Sequence, residues 1–343
     1  MSKKTEGEDR LRQILKVARM FYREDKSKTE ISYEIKASTT QVARLLEEAL
    51  TRKIVNIDFS PPKLEDLEYR LKKEFDWLRE VVVIPFSEDL MFLREMLAKA
   101  TADYFVANVD NTATVALGGG DTLYEMVMAL PDKARDITIV PTAIVDTGPR
   151  LAHVDPAGLV TLLWVKCGRK PDHAFAASGL PPNQLANRET VKKEYAAHSN
   201  RSSVKEVCAK MKEADFVFAG LGCLTADADY EKVSPRAHNY LLGNMKASVK
   251  VLTKEGAVGD VNYSFFDQNG ATQPNWNIFP ALGVEELRQM SSKSDKQVIV
   301  TVGKYKMPAL KAALKGKIFN VLITDEEAAE ELLRDEGLKP PRR

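Results

Sequence analysis

Three short segments of the chain carry residue types that could hold a small anion or polyol, or act on one. The first is VALGGGDTLYEMV, Val115–Val127. A short apolar run ends in Gly118-Gly119-Gly120 and passes through Asp121, Thr122 and Leu123 into a helical pattern. Glycines let the backbone approach a ligand and take positive φ. The free N–H groups of a first helical turn, together with the helix dipole, then favour an anion. No Gly-Lys-Ser/Thr follows, so this is not a P-loop, and Leu123 stands where a dinucleotide fingerprint needs its third glycine. One phosphate or carboxylate fits better than a nucleotide. Asp121 would repel such an anion if it pointed inward; it is compatible as a helix cap, or if it turns aside to a ligand hydroxyl. The plain alternative is a Gly-rich turn with an Asp cap.

The second segment is GAVGDVNYSFFDQNG, Gly256–Gly270, read as a loop in which the Asp260 carboxylate can accept hydrogen bonds from sugar hydroxyls. The third is VTVGKYKMPAL, Val300–Leu310, where a strand ends at Gly303 and Pro308 starts a helix. Lys304 or Lys306 in that loop can meet a phosphate as a compact charge. A turn aspartate and a solvated lysine are the ordinary alternatives.

These segments need a scaffold, and the bulk composition permits one. The chain has 343 residues, 44% hydrophobic and 29% charged, with net charge +1. Cys167, Cys208 and Cys223 form no CxxC pair, as suits a reducing cytoplasm. His153, His173, His198 and His238 are scattered without metal-ligand spacing, so neither a metal nor another cofactor is implied. No signal-type N-terminus and no apolar run of membrane-spanning length occur. The charge is uneven: residues 1–53 hold 13 Lys/Arg against 9 Asp/Glu, a basic module on a slightly acidic body.

Within that module Leu11, Ile14, Leu15, Val17, Ala18 and Phe21 fall at helical spacing. Thr29 can cap a short helix over EISYEI. Ser38 can cap a second over TTQVARLLEEAL, with Val42, Leu45, Leu46 and Ala49 turned inward. Only Lys36-Ala37 separates the two, which predicts a helix-turn-helix. The second helix would enter the major groove of DNA with Thr39, Thr40, Gln41 and Arg44 leading. IVNIDF (54–59) reads as a short closing strand, and Pro61-Pro62 as the boundary.

Leu64, Leu67, Leu71, Phe75 and Leu78 then form one stripe on a helix. It is a linker, a dimer seam or, better, part of the next domain. From residue 80 strand-length apolar runs (81–85, 114–118, 136–141, 214–222, 297–303, 319–325) alternate with helical stretches (87–102, 122–130, 187–211, 309–314). That alternation predicts a doubly wound α/β domain with a parallel sheet. Two domains are expected, a helix-turn-helix unit over 1–60 and an α/β unit over 61–343 with a mobile LKPPRR tail.

Over residues 8–335 the order of these motifs resembles the SorC, or SorC/DeoR-type, family of sugar-responsive bacterial transcription regulators. The matching segments are EISYEIKASTTQVARLL, GGGDTLYEMVMALP, ADFVFAGLG, GAVGDVNYSFFDQNG, VGKYKMPALKAAL and FNVLITDEEAAEELL. The resemblance implies operator binding by the N-terminal module and a large domain similar to NagB/RpiA-type sugar-phosphate isomerases that senses a phosphorylated sugar or related metabolite. It implies a dimer or tetramer. Effector contacts then fall on Gly118, Gly119, Gly120, Asp121, Thr122, Leu123, Asp260 and Lys306. The chain departs from the family at Lys36 (commonly Gly), which suggests a differently shaped turn, and at Thr39 (often Arg). It also departs at Asp121 (commonly Arg or Thr) and at Tyr263-Ser264 (commonly Gly-Arg). The rival reading is a sugar-phosphate isomerase with Asp121 or Asp260 as base and Lys306 as electrostatic stabiliser. None of the four histidines lies in the three segments, and no basic DNA-reading module is needed for isomerisation.

Overall fold

The computed structural model describes residues 3–55, 57, 60–147, 152–180, 188–224, 246–274, 276 and 279–338. The chain divides into two compact units, Met1–Phe59 and Ser60–Arg343.

The described residues of the first unit form three helices, α1 (Lys3–Tyr22), α2 (Lys28–Ile35) and α3 (Thr39–Thr51). Ile14, Val17, Ala18 and Met20 of α1 bury against Ile31 of α2 and Val42, Leu45, Leu46 and Ala49 of α3. Leu11 and Leu15, read as part of the inward stripe, are 40% and 49% exposed. The cap of α2 is Ser27 and not Thr29. Its hydroxyl accepts from the Glu30 amide, and the Glu30 carboxylate accepts from the Ser27 amide at 2.8 Å, closing a capping box that Thr29 cannot make. Ser38 does cap α3, accepting from the Gln41 amide at 3.1 Å. Between α2 and α3, Lys36 itself adopts the left-handed conformation (φ 53°, ψ 48°). The turn therefore keeps the left-handed bend without glycine. Ile54 and Val55 pack on the helical core; the rest of the strand read at 54–59 falls largely outside the described residues, as does most of the C-terminal tail.

The second unit runs α4 (Glu65–Glu74), β1 (Glu80–Ile84), α5 (Leu90–Asn108), β2 (Thr114–Leu117), α6 (Asp121–Ala129), β3 (Thr138–Pro141), α7 (Pro156–Lys166), α8 (Arg188–Ser199) and α9 (Ser202–Glu213). It continues through β4 (Phe216–Cys223), α10 (Lys246–Lys254), β5 (Ala257–Val261), β6 (Ser264–Asp267), α11 (Val284–Ser291), β7 (Gln297–Thr301), α12 (Met307–Lys315), β8 (Val321–Asp325) and α13 (Glu326–Arg334). Six strands form a wholly parallel sheet in the order β1-β8-β7-β4-β2-β3. Consecutive residues of a strand point to opposite faces. The unbroken burial of Val81–Ile84, Val115–Leu117 and Val321–Asp325 therefore means that helices cover both faces.

The stripe at 64–78 belongs to this core: Leu67, Leu71, Phe75 and Leu78 are buried in it, with α4 against β1 and α13. At the sheet edge the Leu64 amide donates to Val83 O at 2.9 Å, and the Val83 amide donates to the Glu68 carboxylate at 3.0 Å. Both groups of the edge backbone at Val83 are thereby satisfied.

Two expectations need correction. Gly256–Gly270 is not a loop but an antiparallel hairpin, β5–β6, joined to the far end of β4. Asn262 and Tyr263 both have positive φ (51° and 63°), the geometry of a two-residue type I′ turn. The helical stretch at 187–211 is two helices, interrupted at Asn200-Arg201. The helices α7, α10, α11 and α13 carry no expectation from the sequence.

Candidate functional site

The strand order reverses between β2 and β4: the chain leaves β2 toward β3 on one side and leaves β4 toward β7 on the other. Ligands of open α/β sheets sit at the carboxyl ends of the strands beside such a reversal. The three segments singled out in the sequence all end there.

β2 is apolar and buried up to Leu117, and the Gly118 amide continues its ladder by donating to Phe218 O at 2.8 Å. A Cβ at Gly119 would lie 2.8 Å from Val154 O, so only glycine fits. Gly120 has φ 112° and caps α6 with its backbone alone. Its amide donates to Val154 O at 2.8 Å and is thereby occupied. The first intrahelical bond is Tyr124 N–H to Gly120 O at 3.0 Å, so the amides of Asp121, Thr122 and Leu123 precede the intrahelical ladder. Asp121 is the first residue of the helix, not its cap, and its side chain is buried. Leu123 sinks into the core and offers only its backbone. The Thr122 hydroxyl is held by Tyr305, a buried phenol whose proton affinity burial pushes up.

The hairpin brings the second segment to the same end. Asn262, at the first position of the turn, is buried. It accepts from the Thr142 hydroxyl at 2.8 Å and donates to Leu282 O at 3.0 Å. Its carboxamide oxygen also lies 3.3 Å from where a Cβ of Gly118 would be, which fixes the turn beside the glycine loop. Asp260 lies opposite Gly222 of β4. One carboxylate oxygen accepts from the Tyr263 amide at 3.2 Å; the other, Oδ1, is buried with no hydrogen-bond partner. Burial pushes the Asp260 carboxyl up to about 6, against the pull of the Tyr263 amide and the Lys306 charge.

Lys306 closes a 3-10 turn, Lys304–Lys306, that follows Gly303. It is half-buried, and its ammonium donates to Leu221 O at 2.5 Å. Burial lowers its proton affinity to about 8, while Cys223, Asp260 and Asp121 favour its charge. Lys304, the alternative in the sequence, is exposed and pairs with Glu327.

Arg94 of α5 was not legible as a site residue. It is buried and forks onto Glu125 of α6, with its Nε 3.1 Å from both carboxylate oxygens. Burial opposes its charge, but the Glu125 contact and the neighbouring Asp121 more than offset this and raise its proton affinity. Nothing in the spacing of two residues on separate helices signals the pair. The residues brought together are therefore Asp121, Asp260 and Lys306, with Arg94, Glu125 and Tyr305 behind them. A separate cavity of about 520 Å³, bordered by Cys208, Ser264, Phe279, Leu282 and Glu286, contains none of those six residues.

Thr39, Thr40, Gln41 and Arg44 lie in the other unit. All four are exposed at the start of α3, opposite its buried face. Among the described residues no group of three or more His, Cys, Asp or Glu could hold a metal ion, and no helix is long and apolar enough to cross a membrane.

Residues 61–334 match the sequence profile of a family described as "Putative sugar-binding domain". The chain is 25% identical over 334 residues to the deoxyribonucleoside regulator of Bacillus subtilis, covering 95% of this chain and 99% of that protein. It is 23% identical over 337 residues to the sorbitol operon regulator of Klebsiella pneumoniae, covering 96% and 100%. The crystal structure of the full-length sorbitol operon regulator SorC from Klebsiella pneumoniae superposes with a TM-score of 0.61 at 20% identity, over 95% of this chain and all of that one.

Proposed function

The chain belongs to this sugar-binding domain family, whose SorC- and DeoR-type homologues are transcription regulators, and on that premise we propose that it is a DNA-binding regulator whose operator affinity is set by a sugar or related small metabolite. α2 and α3 act as the helix-turn-helix. Thr39, Thr40 and Gln41 offer short hydrogen-bonding groups to base edges or phosphates, and Arg44 offers a fork to guanine or phosphate.

The effector site is the end of the sheet where Gly118–Leu123, Asp260 and Lys306 converge, on a doubly wound, isomerase-like domain. The working form is a homo-oligomer, dimer or tetramer. Effector binding shifts the balance between DNA-competent and DNA-incompetent arrangements, by no more than the effector's difference in affinity for the two. The observation that carries this reading is the division of α3. Val42, Leu45, Leu46 and Ala49 make the core, while every residue proposed to read DNA faces outward.

The isomerase reading has lost its support. Homologues and structural neighbours are regulators, and Lys306 is held by a backbone carbonyl. The test is a gel shift on DNA flanking the protein's own gene, at fixed salt because phosphate contacts make affinity salt-dependent. A specific shift supports the regulator; binding no tighter than to unrelated DNA rejects it.

A further inference from the structure

We infer that the ligand taken at this site is an uncharged polyhydroxylated molecule, a free sugar or polyol, and that its phosphorylated counterpart is rejected. The inference deepens the effector reading above and rests on it. Three observations carry it.

First, the site's unmet demand is for a donor. Asp260 Oδ1 is buried and has no hydrogen-bond partner. A buried polar atom left so is costly unless something fills it. A carboxylate oxygen accepts, so the group that meets it must bring an O–H or N–H, as a sugar hydroxyl does and a phosphate dianion does not; this fixes a hydroxyl at Asp260, and the two observations that follow bear on the phosphate. Gly222 opposite makes room for the carboxylate itself: a Cβ there would lie 1.9 Å from Oδ1.

Second, the cations are committed. Arg94 is forked onto Glu125. Lys306 donates to Leu221 O and is flanked by Asp260 and Asp121. Among the described residues named here, two cations face three carboxylates. No positive surplus remains for a phosphate dianion.

Third, the glycine loop is largely filled from within. The Gly120 amide is taken by Val154 O, and that carbonyl and Pro156 back Gly119. Asp121 places a buried carboxylate on the first turn of α6, where the dipole would otherwise attract a ligand's charge. A helix N-terminus that already carries its own anion favours a neutral partner.

The experiment is calorimetric titration of the full chain with paired probes: ribose and ribose 5-phosphate, glucose and glucose 6-phosphate, sorbitol and sorbitol 6-phosphate, with inorganic phosphate as a separate titrant. The expected result is that one free sugar or polyol binds at least tenfold tighter than its phosphate, and that inorganic phosphate does not compete with it. Asp121→Asn should shift the preference toward the phosphorylated member by tenfold or more. Should that variant fail to fold, the wild-type ratios still decide. A phosphorylated member that binds tighter than its free partner overturns the inference and leaves the effector reading standing. If no member of any pair binds, the effector reading falls and takes the inference with it.

Discussion

Gly222 and Asp260 face each other across the β4–β5 ladder so closely that a single methyl group on Gly222 would lie 1.9 Å from Asp260 Oδ1. Asp260 Cγ would lie at 2.9 Å as well, so the whole carboxylate must swing aside, but no backbone atom stands in the way. Gly222→Ala is therefore expected to lower stability by no more than about 1 kcal/mol while abolishing sugar binding. Gly259→Ala is the control. Its Cβ would meet Gly222 O and Ala309 at 2.8 Å, and overpacking against backbone costs about 1–3 kcal/mol. Denaturant unfolding with calorimetry separates the two effects.

Asp260 should also leave a signature in the pH dependence of stability. Its folded carboxyl titrates at about 6, above its ordinary value of 3.8, because burial penalises the charge. In such a case the folded state binds more protons, so this group's contribution falls as pH rises from about 4 to about 6 and is flat above. Asp260→Asn removes the penalty. It should stabilise the ligand-free protein by about 1–3 kcal/mol at pH 7, with the gain shrinking toward pH 4, while sugar binding is lost. A variant less stable than wild type at pH 7 would show that the carboxylate is satisfied in the free protein.

Lys36 pays for its left-handed turn. It is exposed and C-caps α2 at φ 53°. A non-glycine residue there costs about 1 kcal/mol. Lys36→Gly should raise the stability of the helical unit by about 0.5–1 kcal/mol in urea unfolding. No gain would mean that the lysine side chain makes a compensating contact.

Arg44 is exposed on α3 among Thr39, Thr40 and Gln41. Arg44→Ala should weaken operator binding by about 1–3 kcal/mol if the fork reads a base, and relax sequence preference at one position. A uniform loss with a smaller salt slope would move it to a phosphate contact. Sugar titration of the same variant should match wild type.

Much of this was legible from residue type and spacing. The six parallel strands are continuous apolar runs, and the three segments proposed to bind ligand meet at the carboxyl ends of the central strands β2, β4 and β7. Other features were hidden. The hairpin at Ala257–Asp267 is hidden in the sequence because its turn is Asn-Tyr, without the glycine that marks most type I′ turns, and because Ser264–Asp267 does not alternate. Ser27-x-x-Glu30 is a readable capping box, whereas Thr29 has Ser32 three residues on and can cap only through its own hydroxyl. The direction of Asp121 was not readable at all. Cap and buried first-turn residue are one position apart, and Gly120 takes the cap with no side chain to declare it. The Arg94–Glu125 pair spans 31 residues and two helices, so only packing reveals it.

The central claim is that sugar and operator DNA are coupled through one protein. Coupling is reciprocal: whatever factor the sugar applies to DNA affinity, DNA must apply to sugar affinity. The most direct test is to measure the affinity for the bound sugar by calorimetry with and without saturating operator duplex, at one salt concentration. The account predicts a change of about 5–150-fold, equal to the change the sugar makes in the gel shift. Sugar affinity that is the same with and without operator would contradict it.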